Sequence, residues 1–168
     1  MDRFGTYFLG RIDDDEAERF SKALIVMAGM RAASRSDEKQ LNVYINSGGG
    51  SVGAGLAMTE MMHRVKRDFG IRIRTVITGY AYSMGAILVQ AGDCGVMGKF
   101  STLMLHSGSW MLAGEDARVF EDYKKLPDHY KALVGGLFAD RTGSHDVRWW
   151  IRYIYSGHDR FLTALKSA

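Results

Sequence analysis

Hydrophobic positions along this chain recur with two different periods, and the switches between them predict alternating strands and helices. Thr6 to Leu9 is short, aromatic and β-branched and stops at Gly10, which predicts a first strand. The acidic run Asp13, Asp14, Asp15 and Glu16 suits a helix start, where carboxylates meet the positive end of the peptide dipoles. Phe20, Ala23, Leu24 and Met27 then recur at helical spacing, to about Ala33. After a polar loop over Arg35 to Gln40, Leu41, Val43 and Ile45 alternate with polar residues and run into Gly48, Gly49 and Gly50. That order reads as strand, glycine turn, helix. The helix carries Leu56, Met58, Met61, Met62 and Val65, a stripe suited to a core rather than a cofactor box.

Ile71, Ile73, Val76 and Ile77 predict another strand, closing at Gly79, and a helical pattern resumes over Ser83 to Ala91. A serine is thereby expected at a strand-to-helix turn. Thr102 to Leu105 predicts a short strand that delivers His106. Beyond a glycine-containing loop a helix is expected from about Asp116 to Ala139, kinked or split by Pro127. A last helix is expected around Val147 to Tyr155, ahead of Asp159-Arg160-Phe161-Leu162. With no repeat and no low-complexity tract, residues 1–168 are expected to form one α/β domain.

Composition narrows the class. A hydrophobic content of 46%, with 20 glycines and one proline, suits a packed α/β protein with tight turns. Cys94 is the only cysteine, so no intrachain disulfide can form, and on its own it reads as a small buried hydrophobe. Met1 to Gly10 is interrupted by Asp2, Arg3 and Gly10, so no signal peptide is expected. The apolar runs are too short to span a bilayer, and a cytoplasmic location with no membrane partner is the expectation. A net charge of +3 and a pI near 9.0 raise nucleic acid as a partner. Only Arg64, Lys66, Arg67, Arg72 and Arg74 cluster, however, and they read as a solvated helix end and strand face, so no nucleic-acid partner is expected. One cysteine and the dispersed His63, His129, His145 and His158 make no metal-ligand set, so neither metal nor cofactor is expected.

Chemistry concentrates at three places. A serine is a useful nucleophile only when a base takes its proton, a donor pair holds the oxyanion, and substrate can reach the hydroxyl. Ser83-Met84-Gly85-Ala86 offers such a setting, because small residues let a helix begin close beneath the serine and its first amides are free. Serine is also a common helix cap, so the same four residues admit a purely structural reading. The glycine turn lets main-chain N–H groups approach a carbonyl, and the Gly50 and Met84 amides could share one oxyanion. Gly48, Gly50 and Gly53 also fit the spacing of a dinucleotide fingerprint, but the next strand ends in Thr78-Gly79-Tyr80 with no acid to hold a ribose. His106 is the third place, held at the end of an apolar strand.

In these blocks the chain resembles the proteolytic subunit of the Clp protease, the ClpP family. The resemblance rests on Tyr7-Phe8-Leu9-Gly10, Tyr44-Ile45-Asn46-Ser47-Gly48-Gly49-Gly50-Ser51-Val52, Gly79-Tyr80-Ala81-Tyr82-Ser83-Met84-Gly85-Ala86 and Leu103-Met104-Leu105-His106. Arg141-Thr142-Gly143 and Asp159-Arg160-Phe161-Leu162 complete it in family order. It implies an α/β fold of the ClpP/crotonase type, stacked β-β-α units with a protruding helical handle over about residues 114–141. It implies Ser83 as nucleophile, His106 as general base and then acid, and the Gly50 and Met84 amides as oxyanion donors. Ser107 to Glu115 would line the substrate. The partners implied are further copies of the chain in stacked rings, expected to be heptameric, a polypeptide substrate, and an AAA+ unfoldase.

This chain departs from the family pattern in four places. Gly48 stands where the family has proline, the stretch from Val65 to Thr75 is a few residues longer, and the family's axial segment before the first strand is expected to be missing. The family's triad acid falls at Tyr155 when counted back from Asp159 and at Arg152 when counted forward from Thr142-Gly143. Asp159 is the nearest carboxylate and Asp146 the next, each with an alternative role in a loop or helix cap. Two other readings follow: a ring subunit or scaffold of the same fold without catalysis, and an acyl-CoA enzyme of the crotonase fold.

Overall fold

The computed structural model describes residues 5–35, 37, 39–107 and 126–164. Its contacts divide the chain into two units, Met1–Met104 with Phe161–Ala168, and Leu105–Arg160.

The first unit is built from β1 (Thr6–Leu9), α1 (Asp14–Ala33), β2 (Gln40–Ser47), α2 (Val52–Phe69), β3 (Arg72–Tyr82), α3 (Met84–Ala91), β4 (Cys94–Met97) and β5 (Thr102–Leu105). β6 (Arg160–Thr163) joins the same six-stranded sheet, whose order is β1-β2-β3-β5-β6 with β4 beside β3. The pairings β1 with β2, β2 with β3, and β3 with β4 and β5 are all parallel, as strands joined by crossover helices must be. β3 is long enough to serve two partners in succession: Arg74–Ile77 pair with β4 and Tyr80–Tyr82 with β5.

Local chemistry sets the helix ends. The Asp13 carboxylate accepts the Glu16 N–H at 2.9 Å and so caps α1, with Asp14, Asp15 and Glu16 in its first turn. At the other end Lys39 Nζ donates to the carbonyls of Arg31, Ala32 and Ser34 at 2.8–3.0 Å, which sets a positive charge at the negative end of the helix. α2 starts at Ser51, whose hydroxyl accepts the Ala54 N–H, and stops at Gly70 with φ 62°.

The core lies between the sheet and its helices. Leu41, Val43 and Ile45 alternate inward from β2, and Ile73, Thr75 and Ile77 from β3. Phe20 and Leu24 of α1 are fully buried, each contributing about 1.5–3 kcal/mol of transfer free energy. Of the apolar stripe on α2, Met58, Met62 and Val65 reach the core, while Leu56 and Met61 stay half-buried. Thr75 is the buried polar residue of β3, and its hydroxyl donates to the Val89 carbonyl at 2.9 Å.

Three sequence expectations are corrected here. β3 does not close at Gly79 but continues to Tyr82, because Gly79 sits inside a bulge. β4 and β6, each four residues long, were not anticipated. Cys94 lies on β4, half-buried rather than deep in the core.

The second unit contains α4 (Leu126–Thr142) and α5 (Val147–Ile154). Pro127 sits in the first turn of α4 as described, a position that tolerates its missing N–H, and the kink or split expected there involves residues before Leu126 that lie outside the described ones. Gly135 lets the two helices approach: a Cβ there would stand 2.8 Å from Ile151 Cγ1 and 3.0 Å from the Val147 carbonyl oxygen. Phe138 packs on Trp150 at 4.9 Å between centroids, and Val134, Phe138 and Ile154 are buried. The helix expected from Asp116 lies outside the described residues before Leu126, as does the substrate-lining stretch after Ser107, residues 108–115.

Candidate active site

Ser83 joins β3 to α3 with φ 53° and ψ −123°, and among the described residues it is the only non-glycine with positive φ. A serine costs about 1–3 kcal/mol to hold there, so the surroundings must over-determine the turn. They do so through the main chain. The Ser83 N–H donates to the Met104 carbonyl at 3.0 Å, and the Ser83 carbonyl accepts from Ala86 and Ile87 at 3.0 and 3.3 Å. The Ser83 side chain makes no capping hydrogen bond to α3. This disposes of the cap reading of that serine, whose hydroxyl stands on a sharp strand-to-helix elbow without serving the helix.

The glycine turn after β2 lies directly against this elbow. A Cβ on Gly49 would stand 2.7 Å from Ser83 Cβ, 2.9 Å from the Tyr82 carbonyl oxygen and 3.3 Å from Met84 N. A Cβ on Gly85 would meet Ser47 Cβ and its carbonyl oxygen at 3.1 Å. Two main-chain segments therefore touch where only residues without side chains fit. Gly49 and Gly50 adopt φ 98° and 151°.

The turn is anchored from its far side. The Ile12 N–H donates to the Gly49 carbonyl at 3.2 Å, and the Ser51 N–H donates to the Ile12 carbonyl at 2.9 Å. In such a parallel bridge the middle residue, Gly50, has its own N–H directed away from Ile12. Among the described residues neither the Gly50 nor the Met84 N–H donates a hydrogen bond. The Met84 amide is the first of α3, one of the donors that every helix leaves unpaired. A carbonyl oxygen acquiring negative charge is the kind of acceptor such donors stabilise.

The remaining sequence candidates belong to the second unit. His106 directly follows β5 and is half-buried. The Asp146 carboxylate is engaged as the cap of α5, accepting the Trp149 N–H at 2.7 Å. Asp159 is exposed and, among the described residues, makes no hydrogen bond or ion pair. Burial pushes the Tyr155 hydroxyl up to about 12, so it stays protonated at neutral pH. Arg152 is exposed on α5, beside Trp149 and Tyr153.

Sequence reading missed the contacts that Asn46 and Tyr80 make at the glycine turn. The Tyr80 N–H donates to Asn46 Oδ1 at 3.2 Å, and a Cβ on Gly48 would lie 3.8 Å from the Tyr80 ring. The available signal was Gly79, a glycine inside a strand pattern.

A sequence model of the family described as Clp protease matches residues 4–164. The chain belongs to the Clp protease family. Curated relatives agree. The chain is similar to ATP-dependent Clp protease proteolytic subunit 2 of Bacillus licheniformis, 34% identical over 78% of this chain and 65% of that protein. It is also similar to proteolytic subunit 3 of Streptomyces avermitilis, 32% identical over 81% of this chain and 58% of that protein. Proteolytic subunit 1 of Gloeobacter violaceus is 33% identical over 81% of this chain and 66% of that protein. The chain thus spans from 58% to 66% of the length of these relatives. The α/β fold with its parallel pairings is the one expected of the Clp protease family. No helix among the described residues is long and apolar enough to cross a membrane.

Proposed function

We propose that this chain is a serine endopeptidase that cleaves unfolded polypeptides or short peptides inside a chamber of stacked, heptameric rings of its own copies. It acts in the cytoplasm, with an AAA+ unfoldase as the supplier of substrate and with both units working as one catalytic domain. Ser83 is the nucleophile, His106 the base, and the Gly50 and Met84 amides the oxyanion donors. His106 takes the hydroxyl proton as Oγ attacks the scissile carbonyl, then gives it to the leaving amine. Water repeats the sequence on the acyl-enzyme.

The observation that carries this reading is the strained Ser83 elbow, with its hydroxyl unused by the helix, the adjoining Met84 amide unpaired, and a second unpaired amide, Gly50, in the glycine turn that abuts it. Further support comes from the Met104 carbonyl, which receives the Ser83 N–H two residues before His106. A fluorophosphonate probe is expected to label the wild type and to leave Ser83→Ala and His106→Ala unlabelled. Equal labelling of wild type and Ser83→Ala would refute the assignment. Native mass spectrometry on the same samples reads the number of copies.

A second reading, a ring subunit of the same fold with little or no catalysis, draws on one observation: Asp146 is committed to capping α5. Labelling and peptide cleavage absent from a well-assembled wild type would favour it. Loss of cleavage in Asp159→Ala with retained assembly would favour the peptidase, with Asp159 as the triad acid.

A further inference from the structure

We infer that Tyr80 is a positioning residue: from a bulge in β3 its ring locks the glycine turn, and through the turn the Gly50 amide, against the Ser83 elbow. The catalytic half of this inference rests on the peptidase reading; the structural half stands on packing alone.

The bulge is visible in the register. Ile45 pairs with Ile77, but Ser47 pairs with Ala81, so β3 spends four residue steps where β2 spends two. Main-chain groups freed by the slip are taken up by side chains. Thr78 Oγ1 donates to the Ile45 carbonyl at 3.5 Å, and the Tyr80 N–H donates to Asn46 Oδ1 at 3.2 Å. Gly79 leaves room for that amide, since a Cβ there would stand 2.5 Å from Asn46 Oδ1.

The consequence is where Tyr80 ends up. Its ring lies 3.8 Å from the point a Gly48 Cβ would occupy, so it closes off the space over the turn's first glycine. Behind it the ring packs on Tyr82 at 5.0 Å between centroids. The Tyr82 hydroxyl is hydrogen-bonded to Thr102 Oγ1 at 2.8 Å, and its ring meets Phe161 edge-on at 6.0 Å. Three consecutive glycines carry no side chain with which to hold themselves, and their conformational freedom is the largest any tripeptide has. A ring fixed by its own neighbours supplies that restraint from outside. Tyr80 remains 41% exposed, so it contributes little to the core and much to the turn. Its hydroxyl makes no hydrogen bond among the described residues, so the ring alone carries the effect.

The test compares full-length wild type, Tyr80→Ala and Tyr80→Phe by hydrogen exchange of the peptide covering Gly48–Gly50 and by the rate of fluorophosphonate labelling. Tyr80→Ala is expected to speed exchange and slow labelling about tenfold each, with kcat for a fluorogenic peptide falling and KM within about twofold. Tyr80→Phe should restore both. Gly48→Ala added to Tyr80→Ala should recover about two- to fivefold, because a methyl stiffens a turn whose φ an alanine can adopt. Asn46→Ala, which releases the Tyr80 N–H, should give the same pair of changes as Tyr80→Ala. The inference is overturned if Tyr80→Ala, or Asn46→Ala should the former not fold, leaves exchange at the wild-type rate, or speeds exchange without slowing labelling. A wild type that never labels would instead sink the peptidase reading, and exchange would still decide whether the lock exists.

Discussion

Replacing Ser83 by glycine should make the protein more stable than replacing it by alanine. Both substitutions remove the hydroxyl, so their difference isolates the backbone. At φ 53° and ψ −123° a Cβ is strained, and alanine keeps that strain while glycine releases it. The release is worth about 1–3 kcal/mol. Against it stands the extra freedom that glycine gives the unfolded chain, about 0.5–1 kcal/mol. The net is about 1 kcal/mol in favour of Ser83→Gly, which for a chain of 168 residues corresponds to about 2–4 °C in Tm. Thermal unfolding of the two variants at equal protomer concentration reads it directly, since assembly makes Tm concentration-dependent. The usual order at an unstrained site is the reverse. Ser83→Gly melting at or below Ser83→Ala would mean that the elbow stores no strain, and the main argument for a committed nucleophile would go with it.

Other positions give independent checks. Gly50→Ala has no room for its methyl, which would overlap the Ile12 carbonyl, and its φ of 151° suits glycine. It should lose about 1–3 kcal/mol of stability in denaturant unfolding, together with fluorophosphonate labelling. Asp146→Ala should lose about 1 kcal/mol as a helix cap while Asp146→Asn retains most of it; a cleavage defect equal in both would indicate a catalytic role instead. Tyr7 tests linkage. Burial, and then its hydrogen bond to Glu16, raise its hydroxyl from 10.0 to about 12, so the folded state favours the protonated form. That stabilisation is complete below pH 10 and is lost as pH rises towards 12. The stability difference between wild type and Tyr7→Phe should therefore shrink across that window, and a difference constant with pH would contradict the assignment.

What could be read from the sequence was local. α1 announces itself through Asp13 to Glu16 and the spacing of Phe20, Leu24 and Met27, because cap, dipole and periodicity all agree over one continuous stretch. The glycine run and the serine turn are equally local, and both stand where the pattern puts them. What escaped depends on partners far along the chain. Gly79 looks like a strand end until Asn46, 34 residues from Tyr80, takes the Tyr80 N–H and turns the apparent stop into a bulge. β4 is four residues containing a glycine, and its strand character comes from lying along β3 rather than from its own composition.

Ser83 is the instructive case, because there local preference and structure disagree. Nothing in Tyr82-Ser83-Met84 calls for positive φ, and a glycine would serve the turn better. Serine nevertheless occupies it, held by the Met104 carbonyl on one side and by Ala86 and Ile87 on the other, with its side chain left out of the helix cap it is suited to make. Folding alone supplies no reason for that choice. A residue set against its own conformational preference, beside the glycine turn that carries the unpaired Gly50 amide, is what the proposed nucleophile role would require.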